Sequence, residues 1–323
     1  MLAHQAGEAH RQEARKLRGI LQGDAPARSS TLVPQEPEVS PLPAKHAIDS
    51  ARTRHRGRRA RISDRARRRP ASHPPAPLRA LTINIGAAAA LRAGQILQWL
   101  VRRQDELIVL TETSKGAGTA LIVAGLQARG YTTVGGTVER DRGVVVATRL
   151  PVRQRFARRL NVTLPWRAVG VLLDTTPRVA VIGTYVPSRD RTAAKVERKR
   201  AFIGSLLESI DAFPDGLRRR LLLIGDYNVV ARDHEPRLPG FFPYEYEMHD
   251  RLAELGLTPA HEICGLGTQP HSWIGRTGNG YLYDYVHVGA SLHSRVERTA
   301  YLHGPRERRL TDHAAVSVKL RLG

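Results

Sequence analysis

An apolar run followed by two polar residues stands out in the sequence Leu221-Leu222-Leu223-Ile224-Gly225-Asp226-Tyr227-Asn228. Its opening run is apolar without alternation, which is typical of a short strand buried on both faces. Asp226 and Asn228 follow this run directly. A carboxylate at the end of an apolar strand is costly unless it is paired or binds a cation. The stretch therefore predicts a buried strand whose end carries an ion pair or a chemical site.

Apolar runs of the same kind recur from Leu78 onward, and longer segments with helical periodicity lie between them. We predict strands at Leu81–Ile85, Leu107–Leu110, Gly143–Thr148, Ala168–Leu173, Val179–Thr184, Leu221–Ile224, Tyr281–Val288 and His313–Leu320. We predict helices at Gln95–Arg103, Ala117–Arg129 and Arg191–Ile210. Because strands outnumber helices and several follow one another with only turns between them, an alternating βαβ fold is disfavoured. The expected class is α/β (α+β), a four-layer sandwich in which helices flank two packed mixed β-sheets.

Residues 1–78 differ in character from the rest of the chain. They are rich in Arg, Pro and Ala and poor in strongly apolar side chains. Such a segment buries too little apolar surface to offset the entropy of ordering it. We therefore expect a disordered basic tail at residues 1–78 and a folded domain at residues 79–323. The tail is a solvated segment, a non-specific DNA- or RNA-binding arm, or the product of a start codon placed too far upstream.

The chain is strongly basic, with a formal net charge of +21. Residues 1–78 contain 16 basic and 7 acidic residues, and the remainder keeps a net charge of +12. Lys and Arg favour polyanionic partners because they displace the counterions condensed on nucleic acid. An excess of Arg is also what a GC-rich coding sequence produces. Because the folded part is basic without the tail, a nucleic-acid partner, with DNA favoured, does not depend on the tail.

Several classes of protein are disfavoured by composition. Cys264 is the only cysteine, so neither an internal disulfide nor a cysteine-rich zinc site can form. No apolar run is long enough to span a membrane, and the first residues lack the apolar segment of a secretory signal. We expect a cytoplasmic monomer.

Metal-binding or proton-transferring side chains stand at the ends of five apolar runs. They are Asn84, Glu112, Asp226 with Asn228, Asp284, and Asp312 with His313. Each taken alone is most simply a turn or capping residue. Their recurrence on separate strands instead indicates convergence on one site. Oxygen ligands without cysteine favour Mg²⁺ or Mn²⁺ over zinc.

The same positions lie in five short motifs. They are Thr111-Glu112-Thr113, Thr184-Tyr185-Val186-Pro187, Gly225-Asp226-Tyr227-Asn228, Tyr283-Asp284-Tyr285 and Leu310-Thr311-Asp312-His313. In this order, from about residue 79 to 321, they resemble the Q-E-x, N-Y-x-P, G-D-x-N, I-D-Y and S-D-H elements of the endonuclease/exonuclease/phosphatase superfamily. That group includes the exonuclease III-like apurinic endonucleases and DNase I. The resemblance implies that residues 79–323 form a catalytic domain that hydrolyses phosphoric esters with the help of a metal ion.

The resemblance also implies roles for the acidic and amide residues. Glu112 would be the principal ligand of Mg²⁺ or Mn²⁺, with Asn84 beside it and Asp312 as a further metal contact. Asp226 would position or deprotonate the attacking water, and Asn228 would bind a phosphate oxygen.

A histidine and a tyrosine complete the implied set. His313 would contact the scissile phosphate while Asp284 holds its other ring nitrogen, since a carboxylate fixes the tautomer and stabilises the protonated ring. Tyr185 would donate to phosphate or assist the leaving group. Trp273, Arg189 and Arg191 are candidates for contact with the substrate; the alternatives are core packing for Trp273 and solvation for the two arginines.

Three positions depart from the apurinic endonuclease pattern, namely Gly86, Ser188 and Leu282, where that group commonly has Asp or Asn, Asn and Arg. The chemistry is therefore better defined than the substrate. The favoured function is a DNA endonuclease or exonuclease. The alternatives are a phosphatase or phosphodiesterase acting on a small-molecule or lipid phosphate, and a catalytically silent nucleic-acid-binding protein.

Overall fold

Two six-stranded sheets form the centre of the computed structural model, which describes residues 77–135, 141–156, 160–188, 192–238, 240–266 and 269–323. The strands are β1 (Leu78–Asn84), β2 (Leu107–Thr113), β3 (Thr132–Gly135), β4 (Gly143–Thr148), β5 (Val152–Arg155), β6 (Ala168–Leu173), β7 (Val179–Tyr185), β8 (Leu221–Asp226), β9 (Leu257–Pro259), β10 (Trp273–Ile274), β11 (Gly280–Tyr281), β12 (Asp284–Gly289), β13 (Val296–Leu302) and β14 (Ala315–Leu320). The α-helices are α1 (Ala90–Arg103), α2 (Ala117–Gln127), α3 (Ala193–Asp211), α4 (Asp215–Arg218), α5 (Pro243–Glu254), α6 (Ala260–Ile263) and α7 (Gly304–Glu307). Short 3₁₀ turns lie at Pro165–Arg167 and Ala290–Arg295.

Both large sheets are mixed. The first has the order β13-β14-β1-β2-β4-β3, and the second has the order β5-β6-β7-β8-β12-β9. Each contains one parallel pair near its middle, β1 with β2 and β7 with β8, and its other pairs are antiparallel. Strands β10 and β11 form a separate two-stranded ribbon. The strand ends that carry polar motifs lie on these central strands, so they are brought to one edge of the two sheets.

The central strands are apolar throughout because they are covered on both faces. In β7, Val179 and Val181 pack between the two sheets, whereas Ala180 and Ile182 pack under the helices on the outer face. This alternation follows from the period of two in a strand. Helices α1 and α2 cover the outer face of the first sheet, and α3 and α5 cover that of the second. The predicted four-layer sandwich is confirmed.

All eight predicted strands and the three predicted helices are present, with shifted ends. The predicted strand Tyr281–Val288 was wrong in its continuity, because Tyr281 pairs with Trp273 in the ribbon while Asp284 pairs with Asp226 in the second sheet. Helix α5 and the edge strands β3, β5 and β13 were not predicted. The edge strands lack an apolar run because one side faces solvent, as in the Val-Arg-Gln-Arg sequence of β5.

The predicted tail falls almost wholly within residues 1–76, which lie outside the described residues, so its boundary stays a prediction. Within the described ranges, no helix combines the length and the apolar character needed to cross a bilayer.

Candidate active site

Polar side chains from both sheets meet where the central strands end. Asn84 ends β1 in the first sheet, and Asp226 ends β8 in the second. The Asn84 Nδ2 atom donates a hydrogen bond of 2.9 Å to Asp226 Oδ2, and both residues are buried. Asn84 Oδ1 accepts from the Gly86 backbone N–H at 2.8 Å, which fixes the orientation of the amide. The two sheets are therefore joined at this edge by a hydrogen bond between two predicted site residues.

Asp284 begins β12 and stands directly opposite Asp226 in the antiparallel ladder. Its Oδ2 atom lies 2.7 Å from His313 Nδ1, and both side chains are buried. The backbone N–H groups of Tyr283 and Asp284 both donate to Ser272 Oγ at 3.0 Å. Ser272 thus holds the start of β12 in place. A histidine held in this way presents its remaining ring nitrogen, Nε2, as the atom for chemistry.

Burial and neighbouring charges shift the pKa values of this group. Burial raises the pKa of Asp226 to about 8, aided by the nearby carboxylates of Asp284 and Glu112 and opposed by His313. Burial alone would lower the pKa of His313, but the charge and hydrogen bond of Asp284 outweigh it and raise that pKa to about 10. Near neutral pH, His313 is therefore a cation paired with Asp284. With this pKa, Asp226 is largely protonated at pH 7, and it becomes a base able to accept a proton as the pH rises through 8.

Asn228 is held in a strained conformation beside Asp226. Its φ of 49° lies in the left-handed region, which is uncommon for a residue other than glycine. Its backbone N–H donates to Asp226 Oδ1 at 2.9 Å, and its Nδ2 donates to the Val186 carbonyl oxygen at 3.0 Å. Strain of this kind persists where the surrounding structure enforces it, often at functional sites.

Glu112 lies in a second strained segment, near the end of β2. Its φ is 53°, and the pairing of β2 with β4 shifts register between Leu110 and Thr113, so Glu112 lies in a β-bulge. A bulge redirects side chains and is frequent next to active sites. The Tyr185 hydroxyl donates to Glu112 Oε1 at 2.5 Å. Burial, together with the charges of Asp226 and Glu112, raises the pKa of Tyr185 well above its usual range, so Tyr185 stays a neutral donor.

Arg167 packs against the ring of Tyr185. Its guanidinium stacks 4.6 Å from the centre of the Tyr185 ring, and its Nη2 lies 2.5 Å from Asp141 Oδ1. Trp166 and Arg198 also donate to the Asp141 carboxylate. Burial would raise the pKa of Asp141, but the hydrogen bonds from Arg167, Trp166 and the Arg142 backbone and the charge of Arg167 outweigh it and hold that pKa well below its usual range. Sequence reasoning missed this group, because nothing in a motif signals an arginine beneath a tyrosine.

Two groups of oxygen donors could hold a cation. Among the described residues, one set of three acidic or histidine side chains has ligand atoms within 4.8 Å of one another: Asp226, Asp284 and His313. Asp284 Oδ1 is buried and has no hydrogen-bond partner in that part of the chain. The second group is Glu112 with Asn84. Carboxylate and amide oxygens of this kind fit a hard divalent cation.

The remaining predicted residues are Asp312, Trp273, Arg189 and Arg191. Asp312 is exposed, and its Oδ2 accepts a hydrogen bond of 3.2 Å from Trp273 Nε1. Trp273 also makes an isolated antiparallel bridge with His313. Both therefore stand beside the buried group rather than within it. Arg189 and Arg191 lie outside the described residues, so their predicted contacts stay predictions.

The two packed six-stranded sheets form a four-layer sandwich of the DNase I-like α/β type, and a buried histidine–carboxylate pair lies at their common edge. The chain belongs to the endonuclease/exonuclease/phosphatase family, whose model matches residues 81–316. This confirms the resemblance inferred from the motifs. No curated protein matches the sequence.

Solved structures with the same fold have low sequence identity to this chain. A 3′ phosphatase from Neisseria, bound to a product DNA hairpin, is 20% identical with a TM-score of 0.62, over 75% of this chain and 99% of that chain. An AP endonuclease from Archaeoglobus fulgidus is 17% identical with a TM-score of 0.63, over 76% of this chain and 100% of that chain. An AP endonuclease from Leishmania major is 18% identical with a TM-score of 0.60, over 76% of this chain and 88% of that chain. At these identities the likeness establishes the fold alone.

Proposed function

We propose that this protein is a Mg²⁺- or Mn²⁺-dependent nuclease that hydrolyses phosphodiester bonds of DNA. The observation that carries the proposal is the buried group of Asp226, Asp284 and His313, whose ligand atoms lie within 4.8 Å of one another. A proton-accepting carboxylate beside an imidazolium suits water attack on a phosphate, because one group takes a proton while the other stabilises negative charge. Family membership supports ester hydrolysis as the reaction class.

Each residue has a role in this proposal. Asp226 accepts a proton from the attacking water. His313, paired with Asp284, donates to a phosphate oxygen where negative charge develops. Asn228 binds a phosphate oxygen and holds the Asp226 carboxylate through its backbone N–H. A positioned general base such as Asp226 contributes roughly 10²–10⁴-fold to the rate.

The metal and the leaving group are assigned to the neighbouring residues. Glu112 and Asn84 hold the cation, with Asp312 as a further contact, and Tyr185 assists the leaving oxygen. When bound, the cation neutralises charge on the phosphate and the leaving oxygen. Trp273, Arg189 and Arg191 are assigned to substrate binding.

DNA is proposed as the substrate because of charge. The chain outside residues 1–78 carries a net charge of +12, which favours a polyanion over a small neutral ester. The structural neighbours named above include a 3′ phosphatase bound to DNA and two AP endonucleases, and these are consistent with the proposal. We propose that residues 1–78 form a DNA-binding arm that adds affinity without taking part in chemistry.

The test uses the full chain with Mg²⁺ on plasmid, duplex with an abasic site, single-stranded DNA, RNA and bis(p-nitrophenyl) phosphate. EDTA and the Asp226→Asn variant serve as controls. We expect metal-dependent cleavage of DNA that both controls abolish. Activity confined to the small ester would support a small-molecule or lipid phosphatase instead. Binding of nucleic acid without turnover on any substrate would support a silent binding protein.

A further inference from the structure

An arginine-lined cleft opens beside Glu112. It has a volume of about 740 Å³, and Arg92, Arg306, Arg309, Glu112 and Asp312 are among the residues that line it. None of these arginines belongs to a motif that the sequence analysis identified. They come from α1 and from the segment around α7, which precedes His313. The cleft is therefore built by two separate parts of the chain that both lead to the catalytic group.

Arg92 is held in place by two hydrogen bonds to the backbone. Its Nη2 donates to the Gly86 carbonyl oxygen at 2.8 Å, and its Nη1 donates to the Leu310 carbonyl oxygen at 3.1 Å. A Cβ atom at Gly86 would lie 3.3 Å from Arg92 Nη1 and 3.9 Å from Glu112 Oε2, so the guanidinium and the carboxylate flank the same glycine. A positive charge is thus held rigidly next to the proposed cation ligand.

Arg306 and Arg309 are the other two arginines that line the cleft. Arg306 Nε is buried and has no hydrogen-bond partner among the described residues. Its Nη2 lies 3.3 Å from His303 Nδ1. A histidine ring is either neutral or positively charged, so His303 does not neutralise the guanidinium. Arg309 is exposed and has a φ of 56°, in the left-handed region that favours glycine. Neither arginine has the carboxylate partner that would neutralise it in the described part of the chain.

The two acids of the cleft offset the charge of the three arginines only in part, which leaves one net positive charge. Glu112 Oε1 accepts from Tyr185, and Asp312 Oδ2 accepts from Trp273. In the proposed function Glu112 also carries the cation, which makes the cleft more positive still. Three guanidinium groups around one open volume form a site for an anion. A guanidinium presents its donors as a planar fork that matches a carboxylate or a phosphate, and for the proposed DNA substrate the anion is a phosphate.

We propose that Arg92, Arg306 and Arg309 bind a second phosphate of the substrate, one that is not cleaved. This inference rests on the proposed function, which places the scissile phosphate at Asp226 and His313. With a second phosphate site, the preferred substrate is a polynucleotide with phosphates in series, and a small ester with one phosphate is a poor substrate. Arg306 and Arg309 are specificity-determining residues, whereas Arg92 also ties together the two segments that end in Gly86 and Leu310.

The test compares Arg306→Ala and Arg309→Ala with Arg308→Ala. Arg308 is an exposed arginine of the same turn that does not line the cleft, so it controls for the loss of one positive charge. Arg92 is left intact because its removal would disturb the catalytic segments. Binding of a labelled DNA oligonucleotide is measured by anisotropy in EDTA, which separates binding from turnover.

We expect each of the two cleft variants to weaken binding roughly tenfold, the effect of losing one charged hydrogen-bonded contact. The slope of log K against log salt should fall by about 0.7–0.9 for each lost contact. Arg308→Ala should change binding less than twofold, a bound set by the small energies of exposed charges. An uncharged methylphosphonate placed at the contacted phosphate should weaken binding to the wild-type protein and have little further effect in Arg309→Ala. In Mg²⁺, kcat/KM should fall at least tenfold more for the oligonucleotide than for bis(p-nitrophenyl) phosphate.

Equal weakening in all three variants, or none in the cleft variants, would overturn the proposal. So would equal loss of kcat/KM on both substrates, because the cleft would then act on catalysis or folding in general. Failure of the proposed function gives a different pattern. In that case the wild-type protein hydrolyses neither substrate, while the binding measurement in EDTA still reports on the cleft.

Discussion

Asn84 and Asp226 are 142 residues apart in sequence, and a hydrogen bond of 2.9 Å from Asn84 Nδ2 to Asp226 Oδ2 joins the two sheets at the candidate site. Both oxygens of the Asp226 carboxylate accept hydrogen bonds, one from Asn84 and one from the Asn228 backbone. The buried carboxylate is therefore held in one orientation before any substrate binds. This contact gives the first prediction.

Asn84→Ala should lower the free energy of unfolding by about 1–3 kcal/mol, because it leaves a buried carboxylate short of one donor. Asp226→Asn should lower kcat by roughly 10²–10⁴-fold through loss of the general base. In the Asp226→Asn background, Asn84→Ala should cost much less stability than it does alone, which urea unfolding of all four proteins measures. Strictly additive free energies would show that the two side chains are not coupled.

Asp284→Asn should lower kcat by about 10²–10⁴-fold, since an amide cannot stabilise the protonated His313 ring. KM and the unfolding temperature should change far less, because the substituted side chain keeps its volume and its place opposite Asp226. Steady-state kinetics and thermal unfolding test this. Ser272→Ala is the companion variant. It removes the acceptor for two backbone N–H groups at the start of β12 and should lower kcat and stability together.

Glu112→Gln should raise the Mg²⁺ concentration that gives half-maximal activity, because an amide oxygen is a weaker ligand for a hard cation than a carboxylate. Tyr185→Phe should lower kcat while changing that concentration much less. The two residues share a hydrogen bond, so the pair separates metal binding from assistance to the leaving group. Metal titrations of both variants make the comparison. A metal dependence that Glu112→Gln leaves unaltered would place the cation elsewhere.

Gly225→Ala should destabilise the fold by about 1–3 kcal/mol, in the range of overpacked positions, and should reduce activity. Gly225 has a φ of 152°, and an added Cβ would lie 1.9 Å from the Thr184 carbonyl oxygen. The clash falls between β7 and β8, directly before Asp226. The matched control is Gly204→Ala in α3, where no heavy atom lies within 4 Å of an added Cβ. The control should be neutral or stabilising by up to about 1 kcal/mol, because alanine favours a helix.

Acid should destabilise the protein because of three histidines that are wholly or partly buried, His249, His261 and His287. Burial lowers the pKa of His249 to about 4 and that of His261 to about 4, and it lowers the pKa of His287 well below its usual range. The carboxylates of Asp233 and Asp250 offset the shift of His249 only in part. In the unfolded chain these histidines take up protons near pH 6.5, before the folded protein does.

The stability from these histidines is therefore complete above about pH 6.5 and is lost as the pH falls toward 4. For His249 the loss approaches about 3 kcal/mol at pH 4, at 1.36 kcal/mol for each pKa unit. The His249 ring packs against Tyr285, with ring centres 4.6 Å apart, so His249→Phe should keep the packing and flatten the pH dependence. Unfolding measured from pH 7 to pH 4 tests both statements. A wild-type stability that is constant over this range would contradict the burial argument.

Local patterns along the chain were enough to predict the class of the fold and the polar residues at the strand ends. The apolar runs that became β1, β2, β7 and β8 are a local signal, because a strand covered on both faces must be apolar at every position. The ordered motifs around Glu112, Tyr185, Asp226 and His313 were enough to predict the family, which the family match confirms. Edge strands and α5 were not predicted, because partial exposure leaves no continuous apolar pattern.

How these residues meet depends on contacts between segments that are distant along the chain. The left-handed backbone at Glu112 and Asn228 and the stacking of Arg167 on Tyr185 have no signal in a local pattern. The same holds for the cleft of Arg92, Arg306 and Arg309. The physical reason is that strand patterning depends on neighbours along the chain. The contact between Asn84 and Asp226 depends instead on how the two sheets pack together. The contact between α1 and the segment before His313 likewise depends on how helix and sheet pack.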